Sequence, residues 1–442
     1  MDIGTFVNTT YAALPPEGGE IVIDQGGTFT VPIVLAVPGK VATLRGFGNA
    51  VELIFTPTTG TAITFNNGAA FDFCSGLKNI TLTGPGNSTS TIGVIVGGAN
   101  GAVGLSAEYF KIQSFGVNLQ TSSNTWITRF SHGMIRDGGT NVLMPSGMTQ
   151  AGENVEFDHV TFADAPAPHT NSVWIQGGGQ EIIFAHCSFD QAQLRIGNGG
   201  TSAAQVVITG CHFENPNFAL GGSVDYTFLV VDANNGNYVR VTDCFIEQDR
   251  STGGNYAQFL ALSGGVVNIM GMGMYTPATL TNFAVLANAV NVNMFAFNDL
   301  SGNISGTLWG GATTGFVNSF PGASTASAGS YNSLVGVGDT LGGASMQFGV
   351  AVAVGTSAHN KNFNVNGDTS LSGNLGGVHA QNLGTADSPT FTDVTITAGS
   401  LDTLIASINS SISTLFGMMA NTATKGAATS VNGTPAHSHT QS

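Results

Sequence analysis

Charge is what this chain has least of. Only 8% of its 442 residues are Asp, Glu, Lys or Arg, and 11 basic residues face 26 acidic ones for a net −15. That balance excludes an electrostatic hold on nucleic acid or on an anionic membrane surface. Four cysteines, Cys74, Cys187, Cys211 and Cys244, contain no Cys-x-x-Cys pair, which argues against a metal site and leaves a disulfide conceivable. No apolar run is long enough to span a bilayer, so membrane insertion is not expected. No basic-then-apolar leader opens the sequence, so no ordinary signal peptide is expected. Gly-x-Ser-x-Gly, Walker and His-Glu-x-x-His motifs are all missing. Ser/His chemistry is not thereby excluded, because its partners need not be close in sequence.

What is present is a repeat. An apolar residue is followed two positions on by a bend residue, three on by a small or sulfur residue, and five on by another apolar residue. The copies are Phe130/His132/Gly133/Ile135, Phe157/His159/Val160/Phe162, Phe184/His186/Cys187/Phe189, Ile208/Gly210/Cys211/Phe213, Val241/Asp243/Cys244/Ile246 and Ile269/Gly271/Met272/Met274, with a looser copy expected at Phe110 to Phe115. Residues five apart on one strand point to opposite faces. Both apolar positions therefore face one interior only if the chain turns a corner between them. His, Gly and Asp at the corner tolerate positive φ better than most residues. Two short strands meeting at a bend, stacked coil on coil roughly 4.8 Å apart, make a parallel β-helix. The histidines His132, His159 and His186 at the bend then read as steric choices, a relay or metal column being the alternative. Three of the cysteines become a buried column of small apolar fillers.

The runs Val206-Val-Ile-Thr-Gly-Cys-His-Phe-Glu-Asn215 and Val239-Arg-Val-Thr-Asp-Cys-Phe-Ile-Glu-Gln248 resemble right-handed β-helix repeats of the pectate-lyase-like superfamily. The stretch from Gly18–Asp24 through Val41–Gly48 resembles its first coils. The resemblance spans residues 1 to about 320. It implies an all-β fold and leaves chemistry open, since the superfamily holds lyases, hydrolases, esterases and inert adhesins.

The expected organisation is an N-terminal cap (1–25), with Thr9–Leu14 at most a turn of helix, and a β-helix body (26–320). A Gly/Ser/Ala linker (321–345) and a β-rich fibre-like segment (346–399) follow. Within the last, Leu383-Gly-Thr-Ala-Asp-Ser-Pro-Thr-Phe391 resembles shaft repeats of bacteriophage tail fibres, which three chains build together. Leu401, Ile408 and Leu415, with Ile405, Ile412 and Met419, then give heptads over 400–420. Isoleucine-rich seams favour more than two strands, and an amphipathic helix packed on its own chain is the alternative. In the tail, 421–442, His437 and His439 point to one side of an extended chain. They are similar to metal-holding pairs of phage fibres, and on a three-fold axis would offer six imidazoles to iron, nickel or zinc. The alternative is a tail with two unrelated histidines.

The outward position after the second apolar residue reads Arg136, Ala163, Asp190, Glu214, Glu247 and Tyr275. Carboxylates on adjacent coils would lie roughly 5 Å apart and on alternate coils roughly 10 Å, bracketing the spacings glycosidases use. Stacked like charges raise one pKa, as a general acid requires. Asp190, Glu214 and Glu247 are thus the candidate catalytic acids, with Asp164 and Asp249 nearby. Trp174, Tyr226 and Arg240 are candidate sugar-binding residues, and Arg195 and Arg250 could also hold a sugar carboxylate. Solvation, calcium binding or protection of a bare sheet would produce the same column. Taken together the resemblances imply a homotrimeric phage tailspike or tail fibre, made in the host cytoplasm and carried on the virion tail by its cap, an adaptor protein or its C-terminal end. Its target would be bacterial surface polysaccharide. Whether it depolymerises that glycan as a hydrolase or lyase, only binds it, or is a structural appendage is left open by the sequence.

Overall fold

The computed structural model describes most of residues 1–275 (the gaps are 49–50, 70–74, 150, 167–170, 180, 198–203, 216–226, 233–235, 249–259 and 263), strand segments between 284 and 325, and residues 408–414. The chain divides into Met1–Val350 and Ala351–Ser442.

The first unit is a right-handed parallel β-helix. Among the described residues, 24 strands pair into one sheet that folds through the bends, and 11 into a second sheet. Every pairing is parallel and joins one coil to the next, as in Phe130↔Phe157, Phe157↔Phe184, Phe184↔Ile208, Ile208↔Val241 and Val241↔Ile269. The inferred corner is real. His132, His159, His186, Gly210, Asp243 and Gly271 have φ between 52° and 65°, the left-handed region that reverses a strand's outward face. The looser copy is shifted in register. Ala107 and Ile112, not Phe110 and Phe115, pair with Phe130 and Ile135, and Tyr109 is the bend residue with φ 52°. Phe110 instead fills the small-residue position: a Cβ on Gly133 would lie 2.4 Å from its ring.

Like residues stack down the interior. Phe130, Phe157 and Phe184 lie 5.0 and 5.1 Å apart, nearly parallel, and Phe162, Phe189 and Phe213 lie 5.0 and 4.7 Å apart. Burying each ring contributes about 1.5–3 kcal/mol, and each ring pair adds about 0.5–1.5 kcal/mol. Cys187, Cys211 and Cys244 form the expected column of buried free thiols. The Cys187 thiol and burial push Cys211 up, and the Cys211 thiol pushes Cys244 up. Cys74 lies outside the described residues. A buried polar ladder went unread in the sequence. Asn118 donates to Asn141 at 2.8 Å and Asn141 to Ser172 at 2.9 Å, while each accepts a backbone N–H, from Phe115 and Gly138. It satisfies the corner that follows each second strand.

The cap differs from expectation. A helix of 11 residues, Ile3–Ala13, closes the first coil. Asp2 caps it, accepting from Thr5 N at 3.1 Å, and Gly4, Val7 and Tyr11 form its buried stripe. Lys40, itself buried, donates to the last carbonyls, Ala12 and Leu14, at 3.2 and 2.8 Å. The run before Pro15 looked short because the capping residue and the stripe lie upstream of it. At the far end the last described pairing joins Asn298–Asp299 to Ser324–Thr325. In the second unit, residues 408–414 are helical. The linker (apart from Ser324–Thr325), the fibre-like segment 346–399 and the tail with His437 and His439 lie outside the described residues. No helix among the described residues is long and apolar enough to cross a membrane.

Candidate functional site

The outward column is built as the repeat requires. Register pairs Arg136 with Ala163, Ala163 with Asp190, Asp190 with Glu214, Glu214 with Glu247, and Glu247 with Tyr275. Asp190, Glu214 and Glu247 therefore stand on three consecutive coils, all part-exposed. The column lies just before a second left-handed corner, at Asp137, Asp164 and Gln191, with φ 49° to 52°. Asp164 is held there by an ion pair with Arg136.

The sequence reading missed His212. Two residues before Glu214, it faces outward in the parallel column Ser188–His212–Phe245. Its Nε2 lies 3.4 Å from Glu247 and its Nδ1 3.8 Å from Glu214. The Phe245 ring stacks on it at 5.8 Å. Ligand atoms of Asp190, His212 and Glu214 lie within 4.8 Å of one another. Reading both outward positions of the second strand, rather than one, would have found it.

Asp190 has its pKa raised, for a reason other than the one expected. Burial is the main cause. The Ser188 hydroxyl, which donates to its Oδ1, and His212 oppose the shift, while Asp164 adds to it. Asp190 thus holds a proton more readily than a free aspartate, and it sits beside a second carboxylate.

The proposed sugar-binding residues are not gathered at this ladder. Trp174 belongs to the second sheet, where Arg195 covers one ring face at 5.3 Å and its Nε1 donates to the Gly197 carbonyl at 2.9 Å. Arg195 is committed to Asp232 at 2.6 Å and to Asn171 at 3.0 Å. Arg240 lies on the strand before the Asp243 bend, exposed, with its Nε 3.4 Å from the Thr242 hydroxyl. Tyr226, Asp249 and Arg250 lie outside the described residues. The aromatic that register does place against the ladder is Tyr275, 43% exposed beside Glu247.

Two further features lie at the bend and on the strand before it. Ligand atoms of Asp158, His159 and His186 lie within 4.8 Å of one another, a second His/carboxylate cluster able to chelate a cation. A cleft of about 270 Å³ is lined by Ser106, Glu108, Arg129 and Glu156 and floored by Ile127. Ile127 has φ 52°, a conformation rare for a β-branched residue.

No family model matches the chain. An uncharacterised 65.4 kDa protein in the cps region of Klebsiella pneumoniae is 26% identical over 173 residues, 38% of this chain and 27% of that protein. The enzymatically active domain of tailspike protein 4 of bacteriophage CBA120 superposes with a TM-score of 0.51 at 16% identity, over 73% of this chain and 43% of that one. The fold is a parallel β-solenoid, shared with that tailspike domain. A DFA-IIIase from Arthrobacter chlorophenolicus without its lid aligns at 12% identity and a TM-score of 0.48, over 73% of this chain and 89% of its own. The chain thus spans less than half the length of the Klebsiella protein and of the tailspike domain, and at 16% identity the likeness is one of fold.

Proposed function

We propose that this chain is a trimeric phage-type tailspike that binds bacterial surface polysaccharide along the acid ladder and cuts it there. The observation that carries the reading is the in-register column Asp190–Glu214–Glu247 with His212 set against it. Asp190, whose pKa burial raises, gives its proton to the glycosidic oxygen. Glu214, one coil away, attacks the anomeric carbon. Water then releases the sugar, with the Asp190 carboxylate taking its proton. A spacing of one coil predicts retention of anomeric configuration, whereas an Asp190–Glu247 pair, two coils apart, predicts inversion. Tyr275 offers a ring to a sugar at the ladder's end.

A specific observation favours binding without cleavage: His212 already lies 3.8 Å from Glu214 and 3.4 Å from Glu247, so both carboxylates have a polar neighbour without any substrate. The two readings separate in one experiment. Purified chain is incubated with capsular polysaccharide or O-antigen, and new reducing ends are counted. Cleavage that Asp190→Asn and Glu214→Gln abolish supports the enzyme. Binding without new ends supports the adhesin, and full activity in both variants removes the ladder from the chemistry.

The trimer is supported by residues 408–414, whose helix leaves Ile408 and Ile412 exposed at 49% and 44%, an apolar seam that a coiled-coil partner would cover. The fibre-like segment 346–399 would wind with it, and an adaptor or the virion tail would receive one end. Light scattering should give three chains per particle, and removal of residues 400–442 should give monomers or misfolded chains. A monomeric full chain rejects the assembly. Metal analysis of that trimer tests an iron, nickel or zinc cage at His437 and His439, which predicts one ion per three chains.

A further inference from the structure

Side chains at the bend do more than tolerate positive φ. Tyr109, His132, His159 and His186 stack down four coils, with ring centroids 5.3, 5.2 and 4.9 Å apart. Asp158, immediately before the bend, turns one carboxylate oxygen toward two of these rings. Its Oδ1 lies 2.7 Å from Nδ1 of His159 and 3.3 Å from Nδ1 of His186. Its Oδ2 is held by the Arg129 guanidinium at 3.0 Å. Hydrogen bonds from His186, His159 and Arg129 outweigh the effect of burial and keep this carboxyl below the usual range.

We propose that Asp158, His159 and His186 form a binding site for a divalent transition-metal ion of the zinc or nickel class, clasping two successive coils at the bend. The donor set is right for that class: two imidazole nitrogens and one carboxylate oxygen, with remaining positions open to water. The 3.3 Å separation from His186 is that of neighbouring ligands on one ion, since bonds of about 2.0–2.1 Å at tetrahedral angles place donors about 3.4 Å apart, and the 2.7 Å contact with His159 is a hydrogen bond that ligation would lengthen. The two imidazoles each place a ring nitrogen within 4.8 Å of the other, and the side chains are 54% and 59% exposed, open to an ion from solvent. Arg129 performs the task that an outer hydrogen bond performs around a metal carboxylate: it fixes one oxygen and leaves the other directed at the ion. His132 stacks on His159 yet is not among the grouped ligand atoms of Asp158, His159 and His186, so it is a control within the same column. The site lies at the bend, and none of its residues belongs to the acid ladder.

The test is a zinc titration of the full chain after chelator treatment, by calorimetry. Wild type should bind one more ion per chain than His159→Asn/His186→Asn, and each single variant should weaken that step at least tenfold. Asparagine keeps the positive φ that the bend requires, so melting temperatures in chelator should match wild type. Zinc should raise the melting temperature of wild type more than that of the double variant. His132→Asn should bind as wild type does. A double variant whose isotherm superposes on wild type overturns the site, as does a wild type that binds no zinc. An equal loss in His132→Asn overturns it too, because it would trace the effect to the ring stack rather than to ligation.

Discussion

Asp158 and Asp190 occupy successive coils of one sheet, on opposite sides of the bend, and their surroundings act on them in opposite directions. Burial pushes both upward. At Asp158 it is outweighed by His186, His159 and Arg129. At Asp190 a serine hydroxyl and His212 do not overcome it, and Asp164 adds to it. The first belongs to a column whose residue types the backbone selects, since His132, His159 and His186 all stand at φ near 53°. The second belongs to a column the backbone leaves free: Arg136, Ala163, Asp190, Glu214, Glu247 and Tyr275 share one extended conformation and no common side-chain type. Where the fold demands nothing, three acids in a row call for another explanation, and that contrast is why the proposed chemistry is placed at the ladder.

The largest effect that tests the contrast is on turnover. If Asp190 donates the proton, Asp190→Asn should lower glycan cleavage by about 10²–10⁴-fold while its melting temperature stays near wild type, since the amide conserves the shape of the side chain. Cleavage within threefold of wild type would erase the distinction between the columns. The bend should answer in stability instead. His159→Val places a β-branched residue at φ 54° and should cost about 1–3 kcal/mol with little change in kcat, whereas His159→Asn should be nearly neutral in stability. A His159→Val chain as stable as wild type would mean that the bend does not select its residues.

The two aspartates also predict opposite responses to pH. Asp158 is held below the usual carboxylate value of about 3.9, so its stabilisation is complete above that value and is lost as pH falls through its folded one. Asp158→Asn should flatten the acid side of the melting-temperature profile. Asp190 is raised, so any stability it lends is present below about pH 3.9 and is lost as pH rises through its folded value. Cleavage should fall over that same upward range, as the proton leaves the donor. Parallel profiles for the two variants would overturn the opposed assignment.

The repeat made the fold legible because a β-helix writes its cross-section into every coil. Register, bend and cysteine column all follow from two apolar positions five apart with a tolerant residue between them. The first coils were harder to read. There the bend residues are Asn79 and Tyr109, and Phe110 substitutes bulk for the small residue, so the pattern is disguised. The cap helix was lost because its signal, Asp2 with Gly4, Val7 and Tyr11, is a helical period inside a chain otherwise read in twos. Of the site, the acid column was legible and its surroundings were not. His212 sits in the neighbouring outward position, and the rise at Asp190 comes from burial, which no spacing of like charges reveals. Asp158 reaches His186 across a coil boundary, 28 residues away, a contact that exists only once the coils are stacked.

The smallest expected effect decides which side of the bend a glycan follows. Arg240 is exposed, and its strand precedes the corner at Asp243. Tyr275 lies beyond the corner of its own coil, paired with Glu247. A glycan lying along the ladder meets Tyr275 and leaves Arg240 on another face. Tyr275→Ala should then raise KM several-fold, consistent with a lost ring contact of about 0.5–1.5 kcal/mol. Arg240→Ala should stay within about 0.5 kcal/mol in stability and leave KM unchanged. The reverse order, with Arg240→Ala the more damaging to binding, would mean that the glycan crosses the bend past Asp158 and His159, and the two columns would then form one surface.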